Sequence, residues 1–135
     1  MDCSIRVLKK LFILLLLLIV FSMACHHIFD SADGPSYIRV KNSSVYNYSS
    51  VKISFTTAGE HFGDILSGSL SGYNKFPVAY RYGYVQLYID GHEYVLQPID
   101  YVGEEPLGSG YFTYTVAVAD LEDTYSITIE VERDH

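Results

Sequence analysis

The sequence predicts an all-β fold, an antiparallel two-sheet sandwich of the immunoglobulin-like type with seven to eight short strands. From residue 37 onwards, apolar and polar side chains alternate in short runs, and turn residues separate the runs. Thirteen Tyr and no Trp make an aromatic balance that favours strands. So many strands with one buried face, in a domain of about 100 residues, require two packed sheets. A small closed barrel is the alternative.

Four strands are predicted in the first half of this domain, at residues 37–42, 51–56, 61–66 and 73–78. The first two have clear alternation, with Ile38 and Val40 on one face of the first. Asn and Ser clusters between them are turn chemistry, and residues 67–72 (SGSLSG) form a loop. Pro77 places the fourth strand at a sheet edge or near its own end, because proline cannot donate to a strand ladder.

The strongest local signal is a hairpin at Asp90-Gly91, between strands at residues 82–89 and 93–99. A two-residue turn of this kind requires positive φ at both positions, which Asp-Gly tolerates. Pairing outwards from the turn puts three pairs on one face: Ile89 with His92, Leu87 with Tyr94, and Val85 with Leu96. The other face then holds Tyr88 with Glu93, Gln86 with Val95, and Tyr84 with Gln97.

Two further strands close the chain, at residues 111–119 and 125–132. Both alternate strictly, with Phe112 and Tyr114 on one face of the first and Ile127 and Ile129 on one face of the second. The connection between them is short enough for an antiparallel hairpin.

The first 24 residues have the pattern of a secretory signal peptide. Basic residues precede an unbroken apolar run of 11 residues at 11–21, about half of the roughly 20 that a membrane-spanning helix needs. Ser22-Met23-Ala24 then supplies the small residues of a cleavage site.

Cys25 directly after this site resembles the lipobox of bacterial lipoproteins, although Ser22 stands where that pattern usually has Leu. The resemblance implies attachment of diacylglycerol to the Cys25 thiol, cleavage before Cys25 and acylation of the new amino group, palmitate being a typical acyl chain. Several acyl chains hold a protein stably to a membrane. The alternatives are ordinary cleavage after Ala24, which leaves a free thiol, and an uncleaved anchor.

Three segments are therefore expected: signal peptide 1–24, lipid-anchored tether 25–36 and β-sandwich 37–135. The chain after cleavage carries six basic and 15 acidic residues, a formal charge of −9. Such a chain does not suit nucleic acid, since phosphate neutralisation needs clustered Lys and Arg. Cys25 would be its one cysteine, so no intramolecular disulfide is available. Nothing in the sequence indicates self-association, and a monomer is expected.

Residues 38–44 (IRVKNSS) and 80–118, with Ile89-Asp90-Gly91 and a Tyr-rich returning strand, resemble small uncharacterised β-sandwich lipoproteins of the Bacteroidetes. The resemblance implies a β-sandwich and an address in the cell envelope, at the outer membrane, and it implies no chemistry.

Catalytic patterns are sparse. The sequence has no phosphate loop and no dinucleotide fingerprint, and the Gly-rich segment at residues 68–72 has Leu70 where a nucleophile elbow has Ser. We therefore expect no enzyme activity, no cofactor and no metal site.

The candidates for ligand binding are Tyr80, Tyr82, Tyr84 and Tyr88, expected as one row on a strand face. Tyr rings can stack on sugars or pack against a protein partner. The sequence thus predicts a non-catalytic, lipid-anchored envelope lipoprotein with a binding or structural sandwich, whose partner is a glycan or an envelope protein. The alternatives are a secreted glycan-binding or adhesion module and, last, a small hydrolase.

Overall fold

A computed structural model describes residues 7–10, 12, 34–55, 59–99 and 104–135. Contacts divide the chain into two compact units, Met1–Ser31 and Ala32–His135. In the first unit, residues 7–10 are helical. No helix within the described residues is both long and apolar enough to cross a bilayer. Cys25 and most of the predicted signal peptide and tether lie outside the described residues.

The second unit contains eight strands in two four-stranded sheets, which confirms the all-β two-sheet sandwich. The strands are β1 (Ser36–Asn42), β2 (Tyr48–Ser54), β3 (Gly59–Ile65), β4 (Asn74–Phe76), β5 (Tyr84–Ile89), β6 (His92–Leu96), β7 (Gly110–Val118) and β8 (Ile127–Arg133). One sheet has the order β4-β1-β7-β8 and is called the β1 sheet below. The other has the order β3-β2-β5-β6 and is called the β2 sheet.

Each predicted strand is present, with ends displaced by a few residues. The edge position predicted from Pro77 is confirmed, because β4 is an outer strand of its sheet and ends at Phe76. β6 ends two residues before Pro98, which has no N–H to donate. At the start of the domain, the tether predicted for residues 25–36 overlaps β1 by one residue. Ser36 belongs to β1, is fully buried and donates its hydroxyl to the Gly108 carbonyl at 2.7 Å.

One pairing differs from the antiparallel expectation. β1 pairs antiparallel with β4 but parallel with β7, over seven residue pairs from Ser36↔Gly110 to Asn42↔Val116. Parallel neighbours need a long crossover connection. Here five strands stand between β1 and β7 in the chain, and four of them build the β2 sheet. The side chains on the outer faces of β1 and β7 are therefore direct neighbours.

The core lies between the two sheets and consists of the inward-facing residues of all eight strands. Val85, Leu87 and Ile89 of β5 are 0–3% exposed, as their alternation predicts. Tyr114 is fully buried, and its hydroxyl donates to the carbonyl oxygen of Tyr80. Burial, with a smaller contribution from the nearby carboxylate of Glu104, raises the pKa of Tyr114 far above its usual value, so the phenol stays neutral in the core.

Different segments of the chain lie at the two ends of the sandwich. The start of β1 and the C-terminal residues share one end, since the Gly110 amide donates to the Pro35 carbonyl at 3.3 Å and the Asp134 amide to Tyr111 at 2.9 Å. The loops after β1, β3 and β7 and the β5–β6 turn lie at the opposite end. The chain thus enters the domain at the end farthest from these loops.

Candidate functional site

Three tyrosines form an exposed aromatic cluster on the outer face of the β1 sheet. We call Tyr37, Tyr73 and Tyr111 the tyrosine platform. The rings of Tyr37 and Tyr111 are stacked, with centroids 4.8 Å apart and planes 16° apart. Tyr73 packs against Tyr111 in a T-shaped arrangement, with centroids 5.1 Å apart. Tyr111 is 50% exposed and Tyr73 39% exposed, so much of the platform faces solvent.

Strand alternation and the parallel register build the platform. In β1 the inward positions belong to Ile38 and Val40, which turns Tyr37 outwards. In β7 Phe112 is inward, which turns Tyr111 outwards, and the register places Tyr37 directly opposite Tyr111. Tyr73 immediately precedes β4, whose first residue, Asn74, pairs with Ile38.

A polar network holds the platform in place. The Arg39 Nε donates to the Thr113 hydroxyl at 2.8 Å and lies 3.4 Å from Asp134 Oδ2. Thr113 in turn donates to the same carboxylate at 2.8 Å, and the Tyr73 hydroxyl donates to it at 2.5 Å. The guanidinium carbon of Arg39 lies 5.0 Å from the centroid of the Tyr73 ring, a cation–π distance. Four side chains thus restrain one another before any partner binds.

Asp134 is the charged centre of this network. Partial burial alone would raise the pKa of its carboxyl, but the hydrogen bonds from Tyr73 and Thr113 and the positive charge of Arg39 outweigh burial and lower it. The same carboxylate raises the pKa of Tyr73, chiefly because the phenol donates a hydrogen bond to it. At neutral pH the carboxylate is ionised and the phenol is protonated.

Charges are segregated across the outer face of the β1 sheet. Arg39 and Lys41 project from β1, and Lys75 projects from β4 opposite Tyr37. Residues Ala32–His135 contain only six basic residues against fourteen acidic ones, so half of the basic residues lie here. The other side of the face, on β8, carries Glu130 and Glu132, and Asp134 follows directly after that strand.

Between these two stripes lies β7, with Tyr111 and Thr115 outwards and Thr113, on the same side of the strand, buried and hydrogen-bonded to Arg39 and Asp134. Parallel and antiparallel registers connect the strands into rows, in which Arg39, Thr113 and Glu132 form one and Lys41, Thr115 and Glu130 the next. The face is therefore basic on one side, aromatic and hydroxylic in the middle, and acidic on the other. It offers aromatic contact area, hydroxyls and fixed charges, which are the elements of a binding surface.

The predicted hairpin is confirmed in turn type and register. Asp90 and Gly91 have φ of 50° and 80°, and all five residue pairs observed between β5 and β6 are those predicted. Tyr84 and Tyr88 accordingly lie on the outer face of the β2 sheet, both half-buried. The Tyr88 hydroxyl donates to Glu93 at 3.1 Å, and this hydrogen bond raises the pKa of Tyr88.

The expected continuation of this row to Tyr80 and Tyr82 is wrong. The chain bends at residues 81–82, and β5 begins only at Tyr84, so the alternation of the strand does not reach further back. Tyr80 is half-buried and packs against the core, with its ring centroid 6.5 Å from that of Phe55. The four tyrosines therefore do not form one surface.

Tyr82 is 53% exposed and lines a cleft of about 370 Å³ with Arg81, Glu104 and Leu107 among its walls. The Tyr82 amide donates to the Glu104 carboxylate at 2.9 Å.

Throughout the described part of the second unit, no three His, Cys, Asp or Glu side chains come together as a metal site would require.

Sequence reasoning did not find the tyrosine platform. Alternation places Tyr37 and Arg39 on the solvent side of β1, and it places Tyr111 and Thr113 on the solvent side of β7. It does not show that the two strands are neighbours.

No protein-family model matches the chain, and no curated protein matches it in sequence.

Proposed function

We propose that this chain is a non-catalytic lipoprotein of the bacterial cell envelope, exported by residues 1–24 and anchored through acyl chains on Cys25. Its sandwich binds an envelope partner at the outer membrane through the outer face of the β1 sheet. The signal-like N-terminus, the Cys25 context and the resemblance to β-sandwich lipoproteins support the address. The tyrosine platform supports the binding role.

The platform carries the proposal because two of its three rings, Tyr73 and Tyr111, are exposed and its side chains are already ordered. Tyr offers a large contact area with a polar tip, and Tyr and Arg are enriched among residues that dominate binding energy. The T-shaped contact with Tyr111 and the hydrogen bond to Asp134 fix Tyr73 in advance. The ion pair with Asp134 and the hydrogen bond to Thr113 fix Arg39. Binding therefore immobilises few additional side chains, which lowers its entropic cost.

A secreted glycan-binding module is the second candidate, and Tyr82 favours it. An exposed aromatic ring beside Arg81 and Glu104 combines a stacking surface with groups that hydrogen-bond sugar hydroxyls. The two candidates differ in whether acylation at Cys25 is required and in which surface binds.

Localisation tests the anchor. In cells that express the full chain, a fatty-acid analogue should label the protein, and Cys25→Ser should abolish the label and move the protein out of the membrane fraction. Equal labelling of the variant would contradict the lipoprotein assignment.

Crosslinking in the same cells tests the surface. In the native protein, a crosslinker should join the sandwich covalently to its envelope partner, and we call these products adducts. The double variant Tyr37→Ser/Tyr111→Ser should lose them, because the stacked pair of rings is lost. Tyr84→Ser with Tyr88→Ser is the matched control on the other sheet and should leave the adducts unchanged. If only the control double variant lost its adducts, the binding surface would lie on the β2 sheet. A third variant, Tyr82→Ser, tests the cleft, and loss of adducts in this variant alone would favour the second candidate.

A further inference from the structure

The outer face of the β1 sheet is complementary to itself. Its basic stripe (Arg39, Lys41, Lys75) and its acidic stripe (Glu130, Glu132) lie on opposite sides of β7, and Asp134 pairs with Arg39 across Thr113 within each copy. A surface that pairs with a second copy about a two-fold axis must present opposite charges at positions related by that axis. This layout meets that condition when the axis runs parallel to the strands and passes over β7.

Rotation about such an axis exchanges the β1 side of the sheet with the β8 side. Each residue keeps its position along the strand direction. The β1 stripe of one copy then faces the β8 stripe of the other, and each row meets its own equivalent. Lys41 and Glu130 belong to one row, because both are opposite Thr115, so Lys41 of one copy faces Glu130 of the next. Arg39 and Glu132 are related in the same way through Thr113. Tyr111 and the threonines of β7 lie near the axis.

The other face-to-face axis, perpendicular to the strands, places β1 over β1 and β8 over β8. Basic residues would then face basic residues, and carboxylates would face carboxylates, which is destabilising. Charge therefore selects one of the two arrangements. The selected arrangement keeps the strand direction, so both copies have the start of β1 at the same end.

We infer that two copies of this chain associate through the outer faces of their β1 sheets, about a two-fold axis parallel to the strands. The inference rests in part on the proposed function and names the partner of the same surface. The start of β1 lies at the same end of both copies, which suits two chains that are anchored through Cys25 in one membrane. This inference departs from the monomer that the sequence predicts and pairs two copies in the plane of the membrane.

The interface is small, and the membrane compensates for this. With the axis over β7, only β1, β7 and β8 overlap between the copies, and three strands at about 4.8 Å spacing and about seven residues in length present a face of roughly 14 Å by 23 Å. This is less than the roughly 800 Å² that each partner of a standard interface buries. Confinement of both copies to one membrane raises their effective concentration, as a linker does between tethered domains.

A thiol crosslink in the membrane tests the arrangement on the full chain. Thr115→Cys lies on β7 near the axis, and packed sheets are about 10 Å apart, so a bis-maleimide of that span should join two copies. Ser54→Cys on the outer face of the β2 sheet is the matched control and should give no dimer. Crosslinking should fall as salt rises, because exposed charge pairs are screened.

Charge exchange tests the pairing itself. In the Thr115→Cys background, Lys41→Glu and Glu130→Lys should each lower the dimer yield roughly tenfold, since each turns two attractions into repulsions. The double variant Lys41→Glu/Glu130→Lys should restore it. Lys52→Glu and Glu60→Lys make the same charge changes on the other sheet and should have no effect. Unchanged thermal unfolding of each variant shows that the fold is intact.

Three results would overturn the dimer: no crosslink through Thr115→Cys, single exchanges without effect, or a double exchange that stays as weak as the singles. A crosslink to a different envelope protein in place of a second copy would overturn it as well. None of these affects acylation at Cys25 or the adducts lost on platform substitution, so the proposed function is tested separately.

Discussion

At the scale of single residues, Asp134 connects the largest number of groups on the candidate surface. Its carboxylate accepts hydrogen bonds from Tyr73 and Thr113 and pairs with Arg39. The residue lies one place beyond β8, the last strand. These contacts fix the segment that follows β8 to the platform.

The lowered pKa of Asp134 predicts how acid affects this network. A carboxyl whose pKa is lower in the folded than in the unfolded chain stabilises the fold at neutral pH, and this contribution is lost as pH falls through the folded value. Asp134→Asn should therefore be less stable than the native protein at about pH 7, and the difference should shrink towards about pH 3. Urea unfolding at several pH values measures it. Glu132→Gln is the control, and an equal pH dependence of both variants would contradict the role of Asp134.

Leu87 tests the core at the same scale. It is 0% exposed in the middle of β5, so Leu87→Ala should cost about 2–5 kcal/mol of unfolding free energy, a large part of the roughly 5–15 kcal/mol expected for a domain. Ile99→Ala is the control, because Ile99 is 99% exposed and its truncation should cost almost nothing. Chemical denaturation measures both, and a small effect at Leu87 would place it outside the core.

At the scale of elements, the β5–β6 hairpin shows which side chains stabilise the fold and which face solvent. Val85, Leu87 and Ile89 are buried, whereas Tyr84, Gln86 and Tyr88 lie on the outer face. Tyr88 contributes a hydrogen bond to Glu93 across the strand pair.

Tyr84→Ser with Tyr88→Ser should therefore change stability little, by about 1 kcal/mol, through lost cross-strand contacts. Thermal or urea unfolding measures this change. A variant that fails to fold would show that the outer face of the β2 sheet is covered and that these rings belong to the core.

The hairpin also shows what sequence can predict. Its turn, register and faces follow from Asp90-Gly91 and from alternation, all within about ten residues of the turn. The error at Tyr80 and Tyr82 has a local cause too, since the bend at residues 81–82 interrupts the alternation on which the row depended.

At the scale of the whole molecule, two packed sheets could be predicted because strand number and one-sided burial require them. The parallel pairing of β1 with β7 could not, because their first paired residues, Ser36 and Gly110, are 74 positions apart and no local pattern specifies a partner strand. The tyrosine platform depends on that pairing, as it brings together residues of β1, the segment before β4, β7 and the C-terminus.

The central place of β1 in its sheet also has a consequence for biogenesis. Both partners of β1 are synthesised after it, β4 beginning at Asn74 and β7 only at Gly110. During synthesis from the N-terminus, β1 lacks its seven-residue partner β7 until residues Gly110–Val118 have been made, whereas β2, β3, β5 and β6 can pair as they appear. Distant pairing of this kind slows folding. The β1 sheet is therefore completed only when the last two strands, β7 and β8, have been made, after every strand of the β2 sheet.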